Sequence, residues 1–290
     1  MSYLRKKITL AVLLLTASAS PAWAFGGFNV DIGKVISAGK NLTETSREIG
    51  ESEEVAIGEG MTSVLLGAAP LVRNDALQKY VNRVGRYLTL QTERPDLPWS
   101  FGVLNSQSIN AFATPGGHIV LTQGLLKRMR SEAELAGVLA HEIAHVLRKH
   151  HLAAMKKMGG MGFLADVGSI AVDQKGGGGS LGKELSKNLL SGVKEVLIRG
   201  LDKDDEYEAD RMGVVIATRA GYDPYGLPSV LQTLEANSGS SDAALLFSTH
   251  PAAASRLETL SDLMQSKLDH YQGKSVSDRF SRMLPSGSKN

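Results

Sequence analysis

The stretch from Ser131 to about His151 admits one backbone reading. Leu135, Val138, Leu139, Ile143, Val146 and Leu147 recur at the helical period and give a helix one apolar face. Ser131 and Glu134 supply the S-x-x-E capping signature at its start. Within it lies His141-Glu142-Ile143-Ala144-His145, which sets two histidines at i and i+4 on one face, about 6 Å apart. Imidazoles so spaced can converge on one zinc ion, with the intervening glutamate offset round the helix beside the ion's bound water. Zinc lowers the pKa of that water towards 7, so a carboxylate there can take its proton. Ala140, Ile143 and Ala144 make the surroundings apolar, unlike those of two solvated surface histidines.

A catalytic zinc takes three protein ligands and keeps a fourth position open, so a third ligand must come from elsewhere. The chain has no cysteine, which excludes disulfides, a lipidated cysteine and thiolate ligands, and leaves His, Asp and Glu. The run Asp204-Asp205-Glu206-Tyr207-Glu208-Ala209-Asp210 is the obvious source. On a helix Glu206 and Asp210 share a face, whereas Glu208 points about 200° away from Glu206, so the two glutamates cannot both serve. Glu206 as ligand leaves Asp210 to hydrogen-bond the far nitrogen of a zinc histidine, His141. Taken alone, the run also reads as a solvated acidic helix start favoured by the helix dipole.

The remaining pattern is mostly helical with one small sheet, an α+β chain. Helices are expected over Ala76–Leu90, Leu185–Ile198, Asp204–Ala220, Leu227–Ala236 and Ala252–Tyr271, with an interrupted apolar helix over Leu152–Val172. Residues 25–75 read as mixed, with amphipathic helices. Strands are expected over Trp99–Leu104, Asn110–Thr114 and His118–Thr122, the last two joined at Pro115-Gly116-Gly117. Gly176–Gly179 reads as a flexible flap and Ser238–Ser241 as a loop.

Arg5, Lys6 and Lys7, the apolar run Ile8–Ala17 and the small-x-small site Ala22-Trp23-Ala24 form the order of a cleavable secretory signal, residues 1–24. Its removal takes the net charge from +2 to −1, so the basic precursor says nothing of a nucleic-acid partner. The expected organisation is a signal over 1–24, one domain over 25–272 and a disordered tail over 273–290. A hydrophobic fraction of 42% with 21% charged residues suits a chain with a sizeable core.

H-E-I-A-H followed by E-Y-E-A-D-R resembles the HtpX/BepA-like zinc metallopeptidases, peptidase family forty-eight. Asn110–Leu126 is similar to that family's strand-turn-strand before the zinc helix, and Ser248-Thr249-His250-Pro251 with Arg256 to another family block. The resemblance runs over residues 75–260. It implies a zincin-like domain whose sheet packs on the zinc helix, and one Zn2+ held by His141, His145 and Glu206. It also implies Asp210 in support and Glu142 as general base. His250 would sit near the metal, either filling the open position at rest or stabilising the oxyanion, with Arg256 able to assist. The strand at Asn110, Ala111, Phe112 and Ala113 would align an extended substrate by main-chain pairing. By resemblance the substrates are misfolded envelope polypeptides, with an association with the outer membrane or its assembly machinery in view. The location is periplasmic, on or off the membrane. A proteolytically latent, chaperone-like assembly factor is the alternative.

Two departures stand out. Lys203 occupies the place where family members often carry arginine, and no tetratricopeptide-like extension follows the core. His150 and His151 read as helix C-terminal cations, and His118 and His270 have no assigned role. No G-x-S-x-G elbow or G-K-[ST] phosphate loop is present.

Overall fold

Burial on both faces marks the strands. β1 (Ser100–Leu104) and β3 (His118–Thr122) are buried at every position, and β2 (Ala111–Thr114) at all but Phe112. The computed structural model describes residues 48–157, 201–237, 246, 249–250, 252–265 and 267–284. It joins the strands in one mixed sheet of order β1-β3-β2. β1 runs parallel to β3, pairing Ser100 with His118, and β2 runs antiparallel to it, pairing Thr114 with His118. The β2–β3 turn has φ of 76° at Gly116 and 100° at Gly117, a backbone that residues with a Cβ rarely adopt. The first two strands each begin one residue later than expected.

The helices are α1 (Glu51–Ala68), α2 (Asp75–Thr89), α3 (Gln123–Leu126), α4 (Glu132–Leu147), α5 (Lys203–Arg219), α6 (Gly226–Ala236), α7 (Ala253–Met264) and α8 (Ser277–Met283). α4 is buried along its whole length, with α2, α5, α6 and β2 packed around it. Ser131 Oγ caps it by accepting from the Glu134 N–H at 3.1 Å. The reciprocal half of the capping box is diverted, because the Glu134 carboxylate accepts instead from the Arg130 N–H at 2.7 Å.

α5 lies unusually close to α4. A Cβ on Gly213 would stand 2.9 Å from the His141 nitrogen and 3.0 Å from its Cα, so the contact requires glycine. Gly213 follows Asp210 by one helical turn, on the face that carries Glu206 and Asp210. The close approach therefore presents both carboxylates to the histidines of α4.

Four expectations need correction. α4 stops at Leu147 rather than His151, because Lys149 takes φ 56° and breaks the ladder, and residues 150–157 start a separate helical stretch. α7 ends at Met264, where Gln265 turns left-handed at φ 38°. α1 is not simply amphipathic, since the consecutive residues Val55, Ala56 and Ile57 are all buried. The expected disordered tail holds α8, whose Phe280 is 1% exposed. Arg279 explains that docking, since its Nε donates at 2.6 Å to the buried Glu132 carboxylate, which also accepts from the hydroxyls of Tyr80 at 2.7 Å and Tyr222 at 2.8 Å. A buried carboxylate at the head of α4 would otherwise be costly.

The signal segment, the Gly176–Gly179 flap, the Leu185–Ile198 helix and the Ser238–Ser241 loop lie outside the described residues. Among those described, no helix is long and apolar enough to cross a membrane.

Candidate metal centre

One turn of α4 brings His141 and His145 together with their Nε2 atoms 3.0 Å apart and their rings nearly perpendicular, at 83°. Glu206, from the first turn of α5 and 0% exposed, turns one carboxylate oxygen towards each imidazole. Its Oε2 lies 3.6 Å from His141 Nε2 and its Oε1 lies 3.5 Å from His145 Nε2. Ligands about 2.0 Å from a tetrahedral ion are about 3.3 Å apart, close to these separations.

A divalent ion fits these residues on a second observation. Glu206 Oε1 is buried and accepts no hydrogen bond among the described residues, a costly state that a cation between the imidazoles would relieve. Two imidazoles and a carboxylate are a donor set suited to zinc.

His250 supplies a fourth donor. Its Nδ1 is 2.8 Å from Glu206 Oε2, and donor atoms of His141, His145, Glu206 and His250 all lie within 4.8 Å of one another. Burial pushes the His145 imidazole well below its ordinary pKa. Burial also opposes charge on Glu206 and His250, but each stabilises the other's ion, so the carboxyl is held well below its usual range and the imidazole is raised.

Asp210, one turn beyond Glu206, places Oδ1 2.9 Å from His141 Nδ1. Its other oxygen accepts from Arg256 Nε at 2.8 Å. Arg256 is itself buried and reaches to 3.8 Å from Glu206 Oε2, so one guanidinium from α7 serves both carboxylates. That charge outweighs burial and keeps Asp210 well below the usual carboxylate range. Glu208 points the other way and pairs with Arg148 at 2.8 Å, as the helical angle requires.

Glu142 is 2% exposed, and burial raises its carboxyl pKa against the pull of His141 and His250. With His141, His250 and Arg256 it borders a small cavity of about 30 Å3, otherwise lined by apolar residues that include Ala111, Val138 and Leu231.

The proposed substrate strand lies at the sheet edge, with no partner beyond β2 among the described residues. Asn110 is 0% exposed and turns its side chain to the Ala111 N–H at 2.9 Å, so it shapes the start of β2 from within. Ala111 and Ala113 are also buried, and Phe112 is the half-buried member.

The sequence reading missed His150. Far from facing solvent at a helix end, it is 5% exposed with Nδ1 2.9 Å from His145 Nδ1. His151 also turns inward, its ring 5.7 Å from that of His145, and burial lowers its pKa to about 4. No residue type betrays this, because the reversal occurs at Lys149 and lysine gives no signal for a left-handed backbone. His118 bonds Ser100 Oγ at 2.8 Å inside the sheet, and His270 lies beside Tyr271 with ring centroids 4.3 Å apart and planes tilted by 39°.

Two imidazoles one helical turn apart, a carboxylate from a second helix and a buried glutamate between them are compatible with the metal centre of a metallopeptidase. The chain belongs to peptidase family M48, whose family model matches residues 75–264. It is 31% identical over 249 residues to the beta-barrel assembly-enhancing protease of Yersinia pestis, covering 83% of this chain and 50% of that protein. It is 28% identical over 184 residues to the mitochondrial metalloendopeptidase OMA1 of Schizosaccharomyces pombe, covering 63% of this chain and 52% of that one. Against the metalloprotease YcaL of Escherichia coli K12 the identity is 25% over 259 residues, covering 88% and 97%. The chain spans about half the length of the beta-barrel assembly-enhancing proteases it matches.

Proposed function

We propose that this chain is a zinc-dependent endopeptidase of the bacterial envelope, with His141, His145 and Glu206 as ligands. The observation that carries the reading is the cluster of His141 Nε2, His145 Nε2 and the two Glu206 carboxylate oxygens, at separations of 3.0, 3.6 and 3.5 Å, beside the buried Glu142. When bound, the ion supplies Lewis acidity towards water and the scissile carbonyl. Glu142 takes a proton from the attacking water and later returns it to the leaving amine, and its raised pKa suits both transfers. Asp210 fixes His141 through Nδ1. The free edge of β2 holds an extended polypeptide by main-chain hydrogen bonds, which tolerate many sequences. A cavity of about 30 Å3 next to Glu142 favours a small apolar side chain beside the cleaved bond.

The signal-like segment 1–24 supports export to the periplasm. Similarity to proteases named for beta-barrel assembly supports misfolded or misassembled envelope proteins as substrates, and an association with outer-membrane assembly. A second reading, a latent peptidase that acts mainly as an assembly factor, is favoured by one observation: His250 stands as a fourth donor where the open position is needed.

Casein digestion with and without chelator tests the assignment. Wild type is expected to cleave and to carry one zinc per chain. Glu142→Gln keeps the zinc and loses cleavage by about 10²–10⁴-fold, and Glu206→Ala loses the zinc. Full activity of Glu142→Gln, or a zinc-free wild type, would refute the reading.

A further inference from the structure

In an unbroken helix His150, five residues beyond His145, would lie about 140° round the axis from it. The break at Lys149 cancels that offset. Lys149 adopts φ 56° and anchors its ammonium 3.1 Å from a carboxylate oxygen of Glu54, a 0%-exposed residue of α1 that Arg94 also binds at 2.9 Å. The chain turns there, and His150 meets His145 edge to face at 69°, with ring centroids 5.1 Å apart. Its far nitrogen, Nε2, then faces two carboxylates of α5, Asp205 at 3.5 Å and Glu208 at 3.4 Å.

We propose that His150 is the positioning residue of the second metal histidine: it accepts the Nδ1 hydrogen of His145 and so directs the Nε2 lone pair of His145 into the donor cluster. The inference rests on the reading of His141, His145 and Glu206 as ligands. The ligand role of His145 Nε2 fixes the direction. The two Nδ1 atoms are 2.9 Å apart, and a hydrogen bond between them uses one hydrogen. With that hydrogen on His145, its Nε2 is free to ligate, and the hydrogen of His150 sits on Nε2 facing Asp205 and Glu208. With it on His150, the hydrogen of His145 would sit on Nε2, directed at His141 Nε2 3.0 Å away, and that nitrogen could not ligate. The two ligand histidines are thus held differently, His141 by the carboxylate of Asp210 and His145 by a second imidazole backed by carboxylates.

The test compares full-length wild type with His150→Leu and His150→Asn. Asparagine keeps an acceptor near the position of Nδ1, whereas leucine fills the space without one. Zinc affinity is read by competition with a chromophoric chelator. Histidine tautomers are read by nitrogen NMR on the metal-free protein, and melting temperatures report on folding. The expected result is a ~10–100-fold weaker zinc site in His150→Leu, largely restored in His150→Asn. His145 should carry its hydrogen on Nδ1 in wild type and shift towards Nε2 in His150→Leu. Unchanged zinc affinity in His150→Leu overturns the proposal, as does an asparagine variant no better than leucine at equal melting temperature. A wild type that takes up no zinc while His145 still carries hydrogen on Nδ1 sinks the ligand assignment, and the positioning role with it.

Discussion

Asp210 Oδ1 sits 2.9 Å from Nδ1 of His141 while its second oxygen is held by Arg256 at 2.8 Å. In the proposed zinc centre a carboxylate so placed would orient the imidazole and increase its basicity as a ligand. Asp210→Asn preserves the shape but removes the charge. The expected outcome is zinc binding weakened ~10–100-fold, measured by chelator competition. Unaltered affinity would show that the charge plays no part.

His250 and Glu206 share a contact of 2.8 Å, which keeps the imidazole among the donor atoms of His141, His145 and Glu206. His250→Ala should leave three ligands and one zinc per chain. It should also open the fourth position and raise the rate of casein cleavage. A large fall in rate with zinc retained would instead assign His250 to the transition state.

Phe280 joins the core from α8, with Val276, Met283 and Leu284 packed against the same cluster. Phe280→Ala should cost ~3–5 kcal/mol, the usual range for truncating a buried phenylalanine. Urea unfolding measures it, and a loss below ~1 kcal/mol would mean that α8 is not docked in solution.

His118 lies in β3, away from the donor cluster, and burial lowers its pKa from 6.5 to about 4. Above pH 6.5 it is neutral whether folded or unfolded. Between pH 6.5 and about 4 the unfolded chain binds a proton that the folded chain refuses, so stability falls as pH falls through that window, by up to ~3 kcal/mol. His118→Asn, which keeps a partner for Ser100 Oγ, should flatten this part of the wild-type curve. Denaturant unfolding of both proteins at pH 4 and pH 7 checks it.

The sequence by itself determined the local features. Helical periodicity and the Ser131 cap defined α4, and the i, i+4 spacing put His141 and His145 on one face. The same helical arithmetic separated Glu206 and Asp210 from Glu208, and the β-branched runs marked the strands. These features depend on neighbours a few residues apart, which is the range that periodicity reports. Only the tertiary structure decided the rest. That Gly213 lets α5 close on His141, that Arg256 reaches Asp210 from α7, and that Phe280 docks from a polar tail depend on partners distant in the chain. His150 depends on a left-handed turn at Lys149 stabilised by Glu54, some ninety-five residues earlier. No local pattern encodes such a contact, because its energy comes from burial and charge pairing once the helices have met.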